Sequence, residues 1–234
     1  MIRTVDETHS TNDDVAALAR EGAPEGTWIR AERQTGGRGR QGRAWTSPEG
    51  NLHASTLVRL RAGDPQAATL ALVAADALHE LVSAYAGSAR IIIKWPNDLL
   101  HQGAKLSGIL LERQEDSVVI GFGVNLAGHP EDSAKPATSL LAITGSAPDA
   151  ALFLDDLATS FARWLGRWRS EGLAPIRHRW LDAAHPAGTP ISTILADGER
   201  AEGLFDGLDE SGALRLRLAD GSLHVIHAGD VFLI

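Results

Sequence analysis

The chain has no cysteine. That absence removes a disulfide framework, a zinc–thiolate site and thiol nucleophilic catalysis at once, so any chemistry must use nitrogen and oxygen groups. Long apolar runs are also missing: no uninterrupted stretch approaches the roughly 20 residues of a membrane helix. The opening Met-Ile-Arg-Thr-Val-Asp lacks the apolar core of a signal peptide, and the expectation is a cytoplasmic protein with no membrane partner. Excess positive charge is lacking as well. A formal net charge of −8 argues against broad nucleic-acid binding, because a polyanionic backbone repels an acidic surface. The nine histidines show no His-x-x-x-His or His-Glu-x-x-His spacing, so no permanent protein-bound metal is expected.

The composition, 44% hydrophobic and 22% charged over 234 residues, suits one large domain plus a small one. Ser10 or Thr11 can cap a helix carrying Val15, Ala16, Leu18 and Ala19 to a stop at Gly22. A strand follows over residues 27–33, and another over 51–59. Asp64-Pro65 has the form of a helix start, and Leu70, Val73, Ala74, Leu78, Leu81 and Tyr85 continue at helical spacing. Apolar runs over 90–95, 106–112 and 118–126 predict strands, with Glu115-Asp116 turning between the last two. Helices are predicted over about 149–170 and 173–183; Trp164, Trp168 and Trp180 fall on their core stripes. Beyond a linker at His185-Pro186-Ala187-Gly188, the turn dipeptides Asp197-Gly198, Asp206-Gly207, Ser211-Gly212 and Asp220-Gly221 predict a small β unit of about five strands.

Four segments carry chemistry. Gly37-Arg38-Gly39-Arg40-Gln41-Gly42-Arg43 joins flexible backbone to fixed charge, and no acid occurs from Arg33 through Pro48. Glycine lets backbone N–H groups approach an anion, and guanidinium forks match phosphate or carboxylate. The segment lacks the Gly-Lys-Ser/Thr ending of a P-loop, and no helix pattern follows it as a dinucleotide turn requires. A solvated surface loop is the alternative. Lys94-Trp95-Pro96-Asn97-Asp98 leaves a strand and precedes Lys105-Leu106-Ser107-Gly108-Ile109-Leu110-Leu111-Glu112, bringing two lysines to one end of a hairpin. Gly108 inside a strand implies a ligand or a bulge, and the fourth segment, Gly121-Phe122-Gly123-Val124-Asn125, places glycines in an apolar strand and leaves room for a flat ligand.

These motifs, in this order, resemble the biotin–protein ligases. The resemblance spans nearly the whole chain, from Ser10-Thr11-Asn12 to the C-terminal β unit. It implies an α+β fold: a central mixed or antiparallel sheet with flanking helices over 1–186 and an SH3-like barrel over 187–234. It implies activation of biotin by ATP, with substrate-bound Mg2+, to biotinyl-5′-AMP, and transfer to a lysine of a biotin carboxyl carrier protein. Ser10, Thr11, Asn12, Gln34, Gly37, Gly108 and Leu110 would hold biotin. Arg38, Gly39 and Arg40 match the loop that closes over biotin and adenylate, and Lys105 the lysine on the biotin carboxylate and α-phosphate. Lys105, Arg40 and Arg38 are therefore the expected catalytic residues. Arg40, Arg43, Trp45, Lys94, Asn97, Asn125 and Ser139 would line the nucleotide side. Asp98 is a candidate base for the carrier lysine, or a turn former. Leu126 stands where family members often have a second Asn. Lipoate–protein ligases share the fold logic, but the arginine-rich loop favours biotin. A repressor's N-terminal DNA-binding motif has no room before Ser10, and simple biotin binding would not need so many cations. A monomer or weak homodimer is expected.

Overall fold

The computed structural model describes all residues except 132–134, 195–198 and 228, so the predicted turn at Asp197-Gly198 lies outside the described residues. Seven strands form the larger sheet: β1 (Ile2–Thr8), β2 (Trp28–Gln34), β3 (Leu52–Arg59), β4 (Ile91–Lys94), β5 (Asp98–His101), β6 (Ala104–Gln114) and β7 (Ser117–Val124). Their order is β1-β2-β3-β7-β6-β5-β4. Only the β1–β2 pair is parallel, so the sheet is mixed, as expected.

Alternation along the central strands explains the two layers on the sheet. Trp28, Val58, Ile120 and Phe122 face the main core, whereas Ile29, Leu57 and Val119 face a smaller cluster with Val15 and Ala19 of α1 (Thr11–Arg20). The main core is roofed by α2 (Leu70–Ala86), α4 (Ala150–Glu171) and α5 (Leu173–Ala183). Trp164, Trp168 and Trp180 are buried there, as their spacing predicts. Residues 67–86 are apolar and long enough to cross a bilayer, yet most of that stretch is buried between the sheet and the other helices, as in the core helix of a folded domain.

Asp64-Pro65 does not start a helix. The regular helix begins at Leu70, after a tight turn at Ala67–Thr69, and Asp64 instead accepts hydrogen bonds from the Arg61 backbone and the Arg169 guanidinium. Asp149, by contrast, caps α4 by accepting from the backbone N–H groups of Ala151 and Leu152. A short α3 (Leu140–Thr144) lies between β7 and α4.

After α5, strands β8 (Pro190–Ile194), β9 (Arg200–Leu208), β10 (Leu214–Arg217), β11 (Leu223–Ile226) and β12 (Val231–Leu233) form a second sheet in the order β11-β10-β9-β8-β12. Every pair is antiparallel. The second sheet is anchored to the first body by Phe205 against Trp180 and by the Trp95 indole N–H donating to the Gly212 carbonyl.

Candidate functional site

A cavity of about 800 Å³ opens between the larger sheet, the glycine–arginine loop and the end of the second sheet. Six basic side chains line it, Arg38, Arg40, Arg43, Lys94, Lys105 and Lys135, against the acids Asp98, Glu131 and Asp230. The chain as a whole is acidic, so this concentration of cations makes the cavity suited to an anion.

The polar end is built where β2 and the start of α1 meet. Extended backbone at Ser10 turns the chain into the helix, bringing Thr11 and Asn12 against the end of β2. Gln34 Oε1 accepts from the Thr11 backbone N–H at 2.9 Å and lies 3.1 Å from the Thr11 hydroxyl oxygen. Thr11 and Ser55 hydroxyls lie 2.7 Å apart, and Ser55 donates to Asn12 Oδ1 at 2.6 Å. All of Ser10, Thr11, Asn12 and Ser55 are buried. Gly121 must lack a side chain, because a Cβ there would collide with the Asn12 amide.

The glycine–arginine loop folds back on itself: Gly39 N–H donates to the Arg43 carbonyl at 2.7 Å and Trp45 N–H to that of Gly37 at 2.9 Å. This returns the Trp45 indole onto the strands. A Cβ on Gly123 would sit 2.5 Å from the indole ring, and one on Gly108 would touch both the ring and the Lys105 ammonium. The flat group that the strand glycines admit here is therefore Trp45 itself. Lys105 Nζ lies 5.5 Å from the ring centroid.

Arg38 is not directed at open space. Its guanidinium pairs bidentately with Asp13 at 2.9 and 2.7 Å and also donates to Glu112 at 3.0 Å. The bond from Arg38 holds the Asp13 carboxyl below the usual carboxylate value. Arg43 donates to Asp230 at 3.0 Å, and Arg40 lies 3.7 Å from the same carboxylate.

On the opposite wall, the β4–β5 hairpin, which contains a cis Trp95–Pro96 bond, sets Lys94 across from Asp98. Asp98 lies 2.7 Å from Lys105 Nζ and 3.4 Å from Lys94 Nζ, so one carboxylate fixes both ammoniums. Asn97 and Asn125 line the cavity, but their amides are committed to backbone: Asn97 donates to the Ile109 carbonyl, and Asn125 to the Thr138 carbonyl at 3.0 Å. Segment 136–138 is thereby held beside Lys105, whose own N–H donates to the Pro136 carbonyl at 2.8 Å.

The structure gathers nearly every residue singled out from the sequence around this cavity: Ser10, Thr11, Asn12, Gln34, Arg38, Gly39, Arg40, Arg43, Trp45, Lys94, Asn97, Lys105, Gly108, Leu110 and Asn125. Gly37 and Ser139 are not on its wall. Gly37 packs inside the loop against the Trp45 carbonyl, and buried Ser139 caps α3 through the Ala142 N–H. Leu126 is buried core, its N–H bonded to Asn51 Oδ1 at 2.9 Å.

Sequence reasoning points to none of Asp230, Phe232 and Lys135, and it gives Glu112 no role. Asp230 and Phe232 reach the cavity from the second sheet, Lys135 sits over the Phe232 ring at 4.4 Å, and Glu112 joins Arg38 to Asn12. Burial, then the neighbouring charges of Lys94 and Arg43, push the Lys135 ammonium down. The Lys-Leu-Ser-Gly-Ile-Leu-Leu-Glu run flagged Glu112 without assigning it a partner; nothing local marked the other three.

Fold and site together define an α+β protein with a cation-lined cavity against a mixed sheet, beneath an arginine-bearing loop, with a second sheet closing one side. The chain belongs to the biotin/lipoate A/B protein ligase family, which it matches over residues 4–125, and residues 189–234 match the biotin protein ligase C-terminal domain. It is 43% identical to a biotin–[acetyl-CoA-carboxylase] ligase of Paracoccus denitrificans, covering 96% of this chain and 97% of that protein. The bifunctional ligase/repressor BirA of Bacillus subtilis is 35% identical over 95% of this chain and 70% of its own length. Among solved structures, a biotin protein ligase from Aquifex aeolicus in complex with biotin and ATP superposes with a TM-score of 0.89 at 26% identity, covering 100% of this chain and 99% of that one.

Proposed function

We propose that this protein is a biotin–protein ligase that forms biotinyl-5′-AMP from biotin and ATP and passes the biotin to a lysine of a biotin carboxyl carrier protein. The observation that carries this reading is the meeting of Lys105 and Arg40 across one cavity whose far end is a buried run of hydroxyl and amide groups. Had the two cations faced different sides of the molecule, the reading would have failed.

The chemistry follows from charge. A carboxylate oxygen of biotin attacks the α-phosphorus of ATP, a new oxygen–phosphorus bond forms, and pyrophosphate leaves with its electron pair. No base is needed; the barrier is the repulsion of two anions. Lys105 and Lys94, set side by side by Asp98, stand to receive the two reactants, with Arg40 and Arg43 above them. Magnesium would arrive on the nucleotide phosphates: no cluster of three or more metal-ligating residues is present among the described residues, and Asp98 and Asp230 are already paired with cations. In the second step the neutral carrier amine attacks the acyl carbon, AMP departs, and one proton is lost. Asp98, bracketed by two ammoniums, supports a charge-placing role better than that of proton acceptor.

Ser10, Thr11, Asn12 and Gln34 are assigned to the polar head of biotin, with the Gly108 and Leu110 backbone alongside. Trp45, Lys94, Asn97 and Asn125 are assigned to the nucleotide side, the two asparagines as its frame. The domain boundary is placed at 186/187.

Incubation with ATP, magnesium, labelled biotin and a carrier domain tests the proposal. One pyrophosphate per biotin and label on a single carrier lysine are expected. Transfer of lipoate in preference to biotin, or no pyrophosphate release, would overturn it.

A further inference from the structure

Glu112, on β6, is a carboxylate that touches both halves of the site. Its Oε2 accepts from Asn12 Nδ2 at 2.6 Å, and the Arg38 guanidinium lies on its two oxygens at 3.0 Å each. The first contact has a directional consequence. A carboxylate only accepts, so Asn12 must turn its NH2 toward Glu112 and its Oδ1 toward Ser55. Ser55 then spends its proton on Asn12, and the 2.7 Å contact with Thr11 requires Thr11 to donate, which leaves the Thr11 backbone N–H as the donor to Gln34 Oε1. One acidic group thus sets the direction of the whole hydrogen-bond run in the polar end. The second contact ties the first arginine of the glycine loop to the same oxygens, beside its bidentate pair with Asp13.

We propose that Glu112 is a positioning residue that couples the polar end of the cavity to the loop above it: it fixes the donor pattern offered to the biotin head and holds Arg38 so that the loop closes in register with an occupied head pocket. The inference rests on the reading of the cavity as a biotin–adenylate site.

The two contacts can be separated by substitution in the full chain. Glu112→Gln keeps an oxygen that accepts from Asn12 and removes the charge facing Arg38. Glu112→Ala removes both. Asp13→Asn weakens Arg38 from the other side without touching the Asn12 amide. Trypsin cuts after Arg38, Arg40 and Arg43, so cleavage of the ligand-free protein reads the loop directly, and the biotin KM in pyrophosphate release reads the head pocket.

Glu112→Gln and Asp13→Asn are expected to speed loop cleavage by about tenfold while changing the biotin KM by less than about threefold; Glu112→Ala is expected to raise the KM by about tenfold as well. Thermal melts identify any variant that has lost its fold, in which case Glu112→Gln alone decides. Unchanged cleavage in Glu112→Gln, or equal KM increases in Glu112→Gln and Glu112→Ala, would overturn the coupling. Failure of the parent protein to release pyrophosphate would instead sink the functional reading, and the cleavage rates would still judge the loop contact.

Discussion

The polar end of the cavity and the glycine–arginine loop share a wall but are held by different physics. Thr11, Asn12 and Ser55 are buried and joined by short neutral hydrogen bonds, whose loss would strand desolvated groups at a cost of about 1–3 kcal/mol each. The loop is held by ion pairs whose side chains are 17% to 50% exposed, such as Arg38 with Asp13 and Arg43 with Asp230. Pairs of that kind contribute about 0–1 kcal/mol each. One region is a fixed template; the other can open and close at little energetic cost, which suits a cover over a labile anhydride.

The largest effect is expected outside both regions, at Lys105 on β6, which is ion-paired with Asp98 and assigned to the reactive anions. Lys105→Ala is expected to lower pyrophosphate release by about a hundredfold or more with an unchanged circular dichroism spectrum. Near-normal turnover would refute the assignment. On the loop, Arg40→Gly should slow adenylate formation less than Lys105→Ala does and speed adenylate escape by about tenfold, equivalent to roughly 1.4 kcal/mol, read as label on bystander lysines. Retention equal to the parent would remove the covering role. Raising salt from about 0.1 to 1 M shortens the screening length from about 10 to 3 Å. Tryptic cleavage within 38–43 should then accelerate about threefold, while biotin affinity of the buried end stays within error; equal sensitivity of both would erase the distinction drawn here.

The helical roof offers a third case, a buried carboxyl group with neither a hydrogen bond nor an ion pair among the described residues. Asp76 is fully buried, neither oxygen has a hydrogen-bond partner among the described residues, and burial pushes its pKa up to about 8, partly opposed by Arg179 and Arg167. The native state keeps a proton that the unfolded chain releases above the ordinary value of 3.8. Stability therefore falls as pH rises from about 4 to about 8, by at most about 1.4 kcal/mol per pH unit. Asp76→Asn should flatten that slope and raise Tm at pH 8 by a few degrees, at about 2–4 °C per kcal/mol. An identical pH profile for parent and variant would rule the account out.

How far the sequence could be read depended on whether a signal was local. The stripes of α4 and α5, the β6–β7 hairpin around Glu115-Asp116 and the four motif segments all declare themselves within a few residues, and the structure places them as expected. β1 was missed because its residues are mostly exposed and it is held by parallel backbone pairing to β2, which leaves no hydrophobic alternation. The start of α2 was misread because Asp64 finds Arg169, a partner 105 residues away, instead of capping. Asp230 was invisible for the same reason: its partner Arg43 is 187 residues distant. The strand glycines were rightly read as making room, but the occupant was a side chain of the same chain, and only tertiary structure could say so.

That occupant gives the molecule a built-in optical reporter. Five of the six indoles are sealed in the interior, at 5% exposure or less, whereas Trp45 lies at the cavity floor with its ring nitrogen enclosed and lacking a hydrogen-bond partner among the described residues. Any guest that slides onto Gly108 and Gly123 must displace or stack on this ring, so the intrinsic emission of the unlabelled protein should register arrival and departure in real time.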